Sequence, residues 1–68
     1  MFNEFDVIKA NKDISNRIKK SCIGIIMLIY NTPYLAYVAE FIDKINDTID
    51  FIAVKPEDIS IIYKWIEK

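Results

Sequence analysis

Apolar residues arrive along the chain in short bursts separated by polar punctuation. Phe5, Val7 and Ile8, with Asp6 and Lys9 interposed, predict a half-buried first strand ending near Ala10. Residues 11–21 are polar and basic, broken only by Ile14 and Ile18. These two sit four apart and serve either as one helical turn or as two anchors of a long loop. From Cys22 to Tyr30 the chain is Ile-rich and apolar at both parities, bounded by Ser21 and by Asn31-Thr32-Pro33. A central strand buried on both faces is expected there. Pro33 biases Thr32 toward extended geometry, so residues 31–35 form a loop and a strand restarts over Ala36 to Ile42. Alternation puts Tyr37, Ala39 and Phe41 on one of its faces and Val38, Glu40 and Ile42 on the other.

Asp43 to Asp47 has the Asn and Asp content of a hairpin turn without a Gly, which leaves Asn46 to take a left-handed conformation. Thr48 to Val54 reads as a fourth strand, with Ile49, Phe51 and Ala53 on one side and Asp50, Ile52 and Val54 on the other. Lys55-Pro56-Glu57-Asp58 suits a single 3-10 turn, because Pro favours its first position and acids its N-terminal end. A last strand follows from Ile59 to about Tyr63; residues 64–68 fit a strand, a helix or a tail, with strand preferred. The expected fold is therefore all-β and a single domain over residues 1–68. It is a small five-stranded SH3-like barrel with a long loop after strand 1 and a one-turn 3-10 helix before the last strand. Closing the sheet on itself would manage its edges.

Composition sharpens this picture. A 68-residue, 8.0 kDa chain has room for one domain and buries only about 60% of the surface its unfolded form exposes, so most large apolar residues are needed inside. The 15 isoleucines favour strands, and only four alanines are present to favour helices. Nine Lys and Arg against ten Asp and Glu give a net charge of −1, far from the basic balance behind non-specific nucleic-acid affinity. Cys22, the single cysteine in a chain without His, rules out an internal disulfide framework and argues against a structural zinc site; a reducing, cytoplasmic setting fits. Cys22 itself is expected to act as a small buried hydrophobe. The longest apolar run, Cys22 to Tyr30, is far short of the roughly 20 residues of a membrane helix. The acidic start, Met1 to Asp6, has no secretory n-region.

The chain resembles one known family. Phe5-Asp6-Val7-Ile8, the run Ile18-Lys19-Lys20-Ser21-Cys22-Ile23-Gly24 through Tyr30, Ala36-Tyr37-Val38-Ala39-Glu40-Phe41-Ile42-Asp43, Thr48-Ile49 and Val54-Lys55-Pro56-Glu57-Asp58-Ile59 are similar to the small bacterial family catalogued as domain of unknown function 4926. Ser21 stands where a first Gly is usual in that family, Val38 where a Glu is common, and Asn46-Asp47 where a hairpin Gly is expected. The resemblance implies an SH3-like barrel and no enzyme chemistry. Small β-proteins of this kind also occur as immunity partners of bacterial toxins.

Candidate chemistry is sparse. Glu40, Asp43, Asp47, Asp50, Glu57 and Asp58 face only Lys44 and Lys55 within residues 40–58, a local −4, while residues 9–20 carry +4 through Lys9, Lys12, Arg17, Lys19 and Lys20 against Asp13. These acids are either solvated hairpin tips or a face that steers a cationic partner. Glu40 with Asp50 is a conceivable cross-strand carboxylate pair, but no His, activated Ser or metal cluster accompanies it, so no catalytic, cofactor or metal site is expected. If the barrel is filled by Ile23, Ile25, Met27, Ile29, Tyr37, Ala39, Phe41, Ile49, Phe51 and Ala53, then Ile26, Leu28, Val38 and Ile52 face outward on neighbouring strands, either as an interface or under a lid. Tyr34 and Trp65 are residue types enriched at interface hot spots. The expected function is a non-enzymatic module that binds a protein, such as a toxin domain that it inhibits as an immunity or antitoxin-like protein. Its expected contacts are Ile26, Leu28, Tyr34, Val38, Glu40, Asp43, Asp47, Asp50, Ile52 and Trp65. The alternatives are a nucleic-acid accessory module using Lys12, Arg17, Lys19, Lys20 and Tyr34, and a homodimer.

Overall fold

Five β-branched and aromatic runs form strands: β1 (Val7–Ala10), β2 (Ile23–Tyr30), β3 (Ala36–Ile42), β4 (Thr48–Val54) and β5 (Ile59–Tyr63), with a 3-10 turn at Pro56–Asp58. The structure is a computed structural model and describes residues 2–31, 34–43, 45 and 47–64. All ladders are antiparallel and join the strands into one sheet in the order β4-β3-β2-β1-β5. No α-helix occurs among the described residues. β2 is central, as its sequence predicts, and β4 and β5 are the outer strands.

Cross-strand partners share a face, so the registers assign every row. The inner rows are Ile8–Gly24–Phe41, Ile26–Ala39–Ile52 and Ile29–Tyr37–Val54, with Ala10 opposite Ile59. Ile8, Ala10, Ile26, Tyr37, Ala39, Phe41, Val54 and Ile59 are buried in a single cluster together with Ile18. Ile29, Ile49 and Ile52 are partly buried against that cluster, and Phe2 closes over it with its ring 5.2 Å from that of Tyr37 in an edge-to-face pair.

Two parity assignments from the sequence are corrected here. Ile26 and Ile52 point inward rather than out, because they flank the buried Ala39 on either side of β3. Conversely Ile23, Ile25 and Met27 lie outside the buried cluster, and Phe51 and Ala53 are exposed. Register shifts explain why simple alternation fails. Met27 is an extra residue on β2 between the Ile26–Ala39 and Leu28–Val38 pairs, and Ile49 is an extra residue on β4 between the Asp50–Phe41 and Thr48–Ile42 pairs. Each bulge flips the alternation beyond it, which sends Ile26 inward but Leu28 outward. β2 is accordingly not buried on both faces: Leu28 is 47% exposed and Tyr30 52%.

Phe5, expected within the first strand, instead precedes it at φ 70°. Its N–H donates to the Ile26 carbonyl at 2.7 Å. Asp6 takes the inward position before Ile8 and is fully buried; its Oδ2 accepts the Asn3 N–H at 2.8 Å and meets Lys64 Nζ at 3.3 Å. That ion pair ties the start of β1 to the residue just past β5.

The long excursion after β1 uses Ile14 and Ile18 as anchors. Ile18 is fully buried, the Ile14 and Ser15 N–H groups both donate to the Ile18 carbonyl, and Ser15 Oγ accepts the Arg17 and Ile18 N–H groups. The excursion re-enters the sheet at Ser21, whose φ is 76°. Asn46, the Thr32-Pro33 turn, Trp65 and the form of the tail from residue 65 onward lie outside the described residues.

A Cβ on Gly24 would lie 2.9 Å from Phe41 Cδ1 and 3.1 Å from the Glu40 carbonyl oxygen. Gly24→Ala is therefore expected to destabilise the fold by about 1–3 kcal/mol, the usual range for overpacking, read as a lower urea midpoint at unchanged slope. Ser21→Gly removes a Cβ from a left-handed position and is expected to stabilise by about 0.5–1 kcal/mol, the steric gain less the added chain entropy. An unchanged or lowered midpoint for Ser21→Gly would contradict the left-handed geometry.

Candidate functional site

The inner rows fix what the opposite face of the sheet must carry. One row crosses all five strands, Tyr63–Val7–Ile25–Glu40–Phe51, and a second runs Ser60–Lys9–Ile23–Ile42–Thr48. Beyond the Met27 bulge lie Leu28–Val38–Ala53 and Tyr30–Ala36. Within these rows Glu40 and Lys9 are the charged residues. Phe51 is 56% exposed and Tyr63 60%, so large apolar groups meet solvent across the width of the sheet.

Of the residues the sequence nominated, Leu28, Val38 and Glu40 share this face, whereas Ile26 belongs to the core and Ile52 packs partly buried against it. Asp50 pairs with Phe41 and Glu40 with Phe51, so the two carboxylates fall on opposite faces and cannot act as a pair. Phe51, Tyr63, Ala53 and Tyr30 were missed as outward residues; their signal was present only in the register, which composition does not reveal.

The acids are largely engaged with the protein's own groups. Asp43 Oδ1 accepts the N–H groups of Ile45 at 2.9 Å and Asp47 at 3.0 Å, and the Asp43 N–H donates to the Asp47 carbonyl at 2.9 Å. A carboxylate thus shapes the hairpin that lacks glycine. Glu40 accepts the Thr48 hydroxyl. Asp58 Oδ2 accepts the Lys55 N–H at 3.1 Å, closing the 3-10 turn, while Oδ1 pairs with Lys12 Nζ at 2.9 Å. Asn11 completes this junction: its N–H donates to the Asp58 carbonyl at 2.8 Å and its Oδ1 accepts the Ser60 hydroxyl at 2.6 Å.

The cations divide differently. Lys12 is bound to Asp58, but Arg17, Lys19 and Lys20 are exposed and form no ion pair among the described residues. They border a cleft of about 330 Å³ with Ser21, Cys22, Ile23, Ile42, Asp43 and Ile49. Tyr34, 81% exposed, borders a separate cleft of about 490 Å³ with Leu35, Ala36, Lys55, Pro56 and Glu57. The two clefts share no residue, so Tyr34 and the three free cations do not form one groove. Cys22 is a free thiol, half-buried, with Sγ 3.7 Å from the Ile42 carbonyl; burial pushes its pKa up. That environment favours the protonated, poorly nucleophilic form. Among the described residues no group of three or more acids or thiols could hold a metal ion, and no helix is long and apolar enough to cross a membrane.

Comparison with known protein families, curated proteins and solved structures finds no match to this chain.

The Lys12–Asp58 pair sets a pH signature. Its hydrogen bond with Lys12 is the largest cause holding the Asp58 carboxyl below its ordinary range, and the same bond raises Lys12 above its own. A lowered acid contributes stability above the unfolded carboxylate pKa of about 3.9 and loses it as pH falls through the folded value; a raised lysine contributes below about 10.4 and loses it as pH rises beyond. Lys12→Gln removes the partner and leaves the 3-10 turn intact. The stability difference from the parent should be flat from about pH 5 to 9, shrink below about pH 4, and diminish in 1 M salt because Lys12 is exposed. Urea midpoints across pH check this, and a difference that persists at acid pH would show the pair is not its source.

Proposed function

We propose that this protein is a non-enzymatic protein-binding module that docks a folded partner on the outward face of β2, β3 and β4. The observation that carries the reading is the run of outward apolar side chains Leu28, Val38, Ala53 and Phe51 around Glu40. Solvated sheet faces ordinarily alternate with polar residues, and a contiguous apolar area on a small protein marks an interaction site. The partner that fits presents an apolar patch with a cation opposite Glu40, which is half-buried among apolar neighbours. Such a charge strengthens specificity, because a wrong partner desolvates the Glu40 charge and leaves it only the Thr48 hydroxyl. The strand order, the long excursion after β1 and the 3-10 turn before β5 support an SH3-like barrel, in keeping with the family resemblance. Within that family setting the partner we favour is a toxin domain whose basic working surface is covered by this face, which makes the module an immunity or antitoxin-like protein of the cytoplasm.

Nucleic acid is the weaker alternative, since Lys12 is engaged by Asp58 and Tyr34 lies apart from Arg17, Lys19 and Lys20. A homodimer through the same face is the other outcome a test must separate.

Leu28→Lys with Phe51→Lys places charge on the docking face without touching the buried cluster. The double variant should keep the parent's melting temperature within a few degrees and lose at least 100-fold in affinity for a purified toxin-domain partner of the parent, measured by calorimetry. That loss corresponds to about 2.7 kcal/mol, the scale of a hot-spot pair. A parent that is dimeric by light scattering and becomes monomeric on substitution would assign the face to self-association. Tight oligonucleotide binding at physiological salt, unaffected by the double variant, would overturn the docking reading.

A further inference from the structure

The cleft beneath the excursion has a different character from the open sheet face. Its floor is apolar, formed by half-buried Cys22, Ile23, Ile42 and Ile49, and its rim carries Arg17, Lys19 and Lys20. The one acid on the rim, Asp43, is already held by two N–H groups of its own turn. The backbone beneath the cations is fixed at three successive residues. Lys20 N–H donates to Asp13 Oδ1 at 2.9 Å, Ser21 N–H to the Ala10 carbonyl at 2.8 Å, and Cys22 N–H to the Lys19 carbonyl at 3.0 Å. Ser21 takes its left-handed conformation at this point and turns the chain from the cationic stretch into β2. Three positive charges outside any ion pair among the described residues, with the Asp43 carboxylate on the same rim and the Asp13 carboxylate at the Lys20 N–H, thus stand on a hydrogen-bonded loop above an aliphatic floor, and backbone strain in a non-glycine residue is a feature that concentrates at binding sites.

We propose that this cleft binds a small amphipathic anion: a carboxylate or similar singly charged head on an aliphatic body of several carbons. The head lies against Arg17, Lys19 and Lys20, and the body lies on Ile23, Ile42 and Ile49. Neither half suffices alone, because a solvent-exposed charge pair is screened and an open apolar cleft gains little from a short hydrocarbon. A volume of about 330 Å³ is at the small end of ligand sites, which span about 300–1,000 Å³, and has room for a short acyl anion. The cleft floor borders the docking face, since Ile23 and Ile42 lie in its neighbouring row, but Leu28 and Phe51 are not part of the cleft, so the two readings are tested by different residues.

Cys22 is the only cysteine and lies on the cleft floor, so it reports occupancy without labelling. Iodoacetamide alkylation of the full chain, followed by intact mass at constant ionic strength, should slow at least fivefold with sodium octanoate. Octanol and sodium acetate at the same concentration should change the rate less than twofold. The Arg17→Gln, Lys19→Gln, Lys20→Gln variant changes only exposed side chains; its own unliganded rate falls as nearby cations are lost, and octanoate should change that rate less than twofold. Amide shifts on adding octanoate should centre on residues 17–23, 42–43 and 49, a second readout that does not need the thiol to react. Equal protection by octanol or by acetate, protection retained in the triple variant, or no shifts in these residues would overturn the proposal. So would protection of Cys22 by anionic phosphatidylglycerol vesicles but not by octanoate, which would assign the cations to a bilayer surface.

Discussion

The ring of Phe41 occupies the space that a side chain at position 24 would need, and this contact favours the register seen between β2 and β3. A slip of one residue would bring Ile23 or Ile25 under the ring and turn every other side chain of β2 to the wrong face. With Gly24 and Phe41 fixed as partners, Ile8 joins their row on one side, and Ile26–Ala39–Ile52 follows as the next inner row. The outward row through Ile25, Glu40 and Phe51 is then no longer a free choice. Its apolar character is the other side of the same packing decision: a chain with this much isoleucine fills its one core and still has apolar residues left to face solvent.

The bulges convert that flat logic into shape. Met27 on β2 and Ile49 on β4 each add a residue against a continuous partner, and Ile62 on β5 does the same opposite β1. Bulges bend and twist the strands that carry them, and the inner side chains of all five strands meet in one cluster with Ile18 of the long excursion. The bulges also decide the outward face, because beyond Met27 the outward positions become Leu28 and Tyr30, while Ile29 turns in to meet Tyr37. The same irregularities that shape the core therefore create the exposed corner of the sheet.

Element order was legible in the sequence almost residue by residue, since β-branched runs, Asp43 in the turn before β4 and Pro56 each act locally. The strands Ala36–Ile42 and Thr48–Val54 and the 3-10 turn at Pro56–Asp58 fall where the pattern places them. What could not be read was phase. Residues 22–30 are apolar at both parities, so alternation carries no information about which half is inside, and a bulge within the run defeats any single choice. Ile26 left the candidate site for this reason and Ile52 because the alternation of Asp50 to Val54 holds but with the opposite face inside, while Leu28, Val38 and Glu40 remained in it. The left-handed Ser21 and the buried Asp6 were equally hidden, because a serine at the end of a polar stretch looks like an ordinary loop residue and an aspartate alternating with Phe5 and Val7 looks like the solvent side of a strand.

Charge was legible in amount but not in use. The sequence separates a basic stretch from an acidic one, and from that alone the acids are the candidates for meeting a partner. In the folded chain Asp43 builds a turn, Asp58 closes the 3-10 turn and holds Lys12, and Asp6 is buried against Lys64. Short carboxylates take such roles because they reach backbone N–H groups two to four residues away; arginine and lysine, as donors on long stems, do not replace them there. A glycine-poor chain recruits its aspartates as turn formers and leaves its longer cations over. Arg17, Lys19 and Lys20 are the result, and their field at the end of the sheet is the electrostatic feature least explained by folding alone.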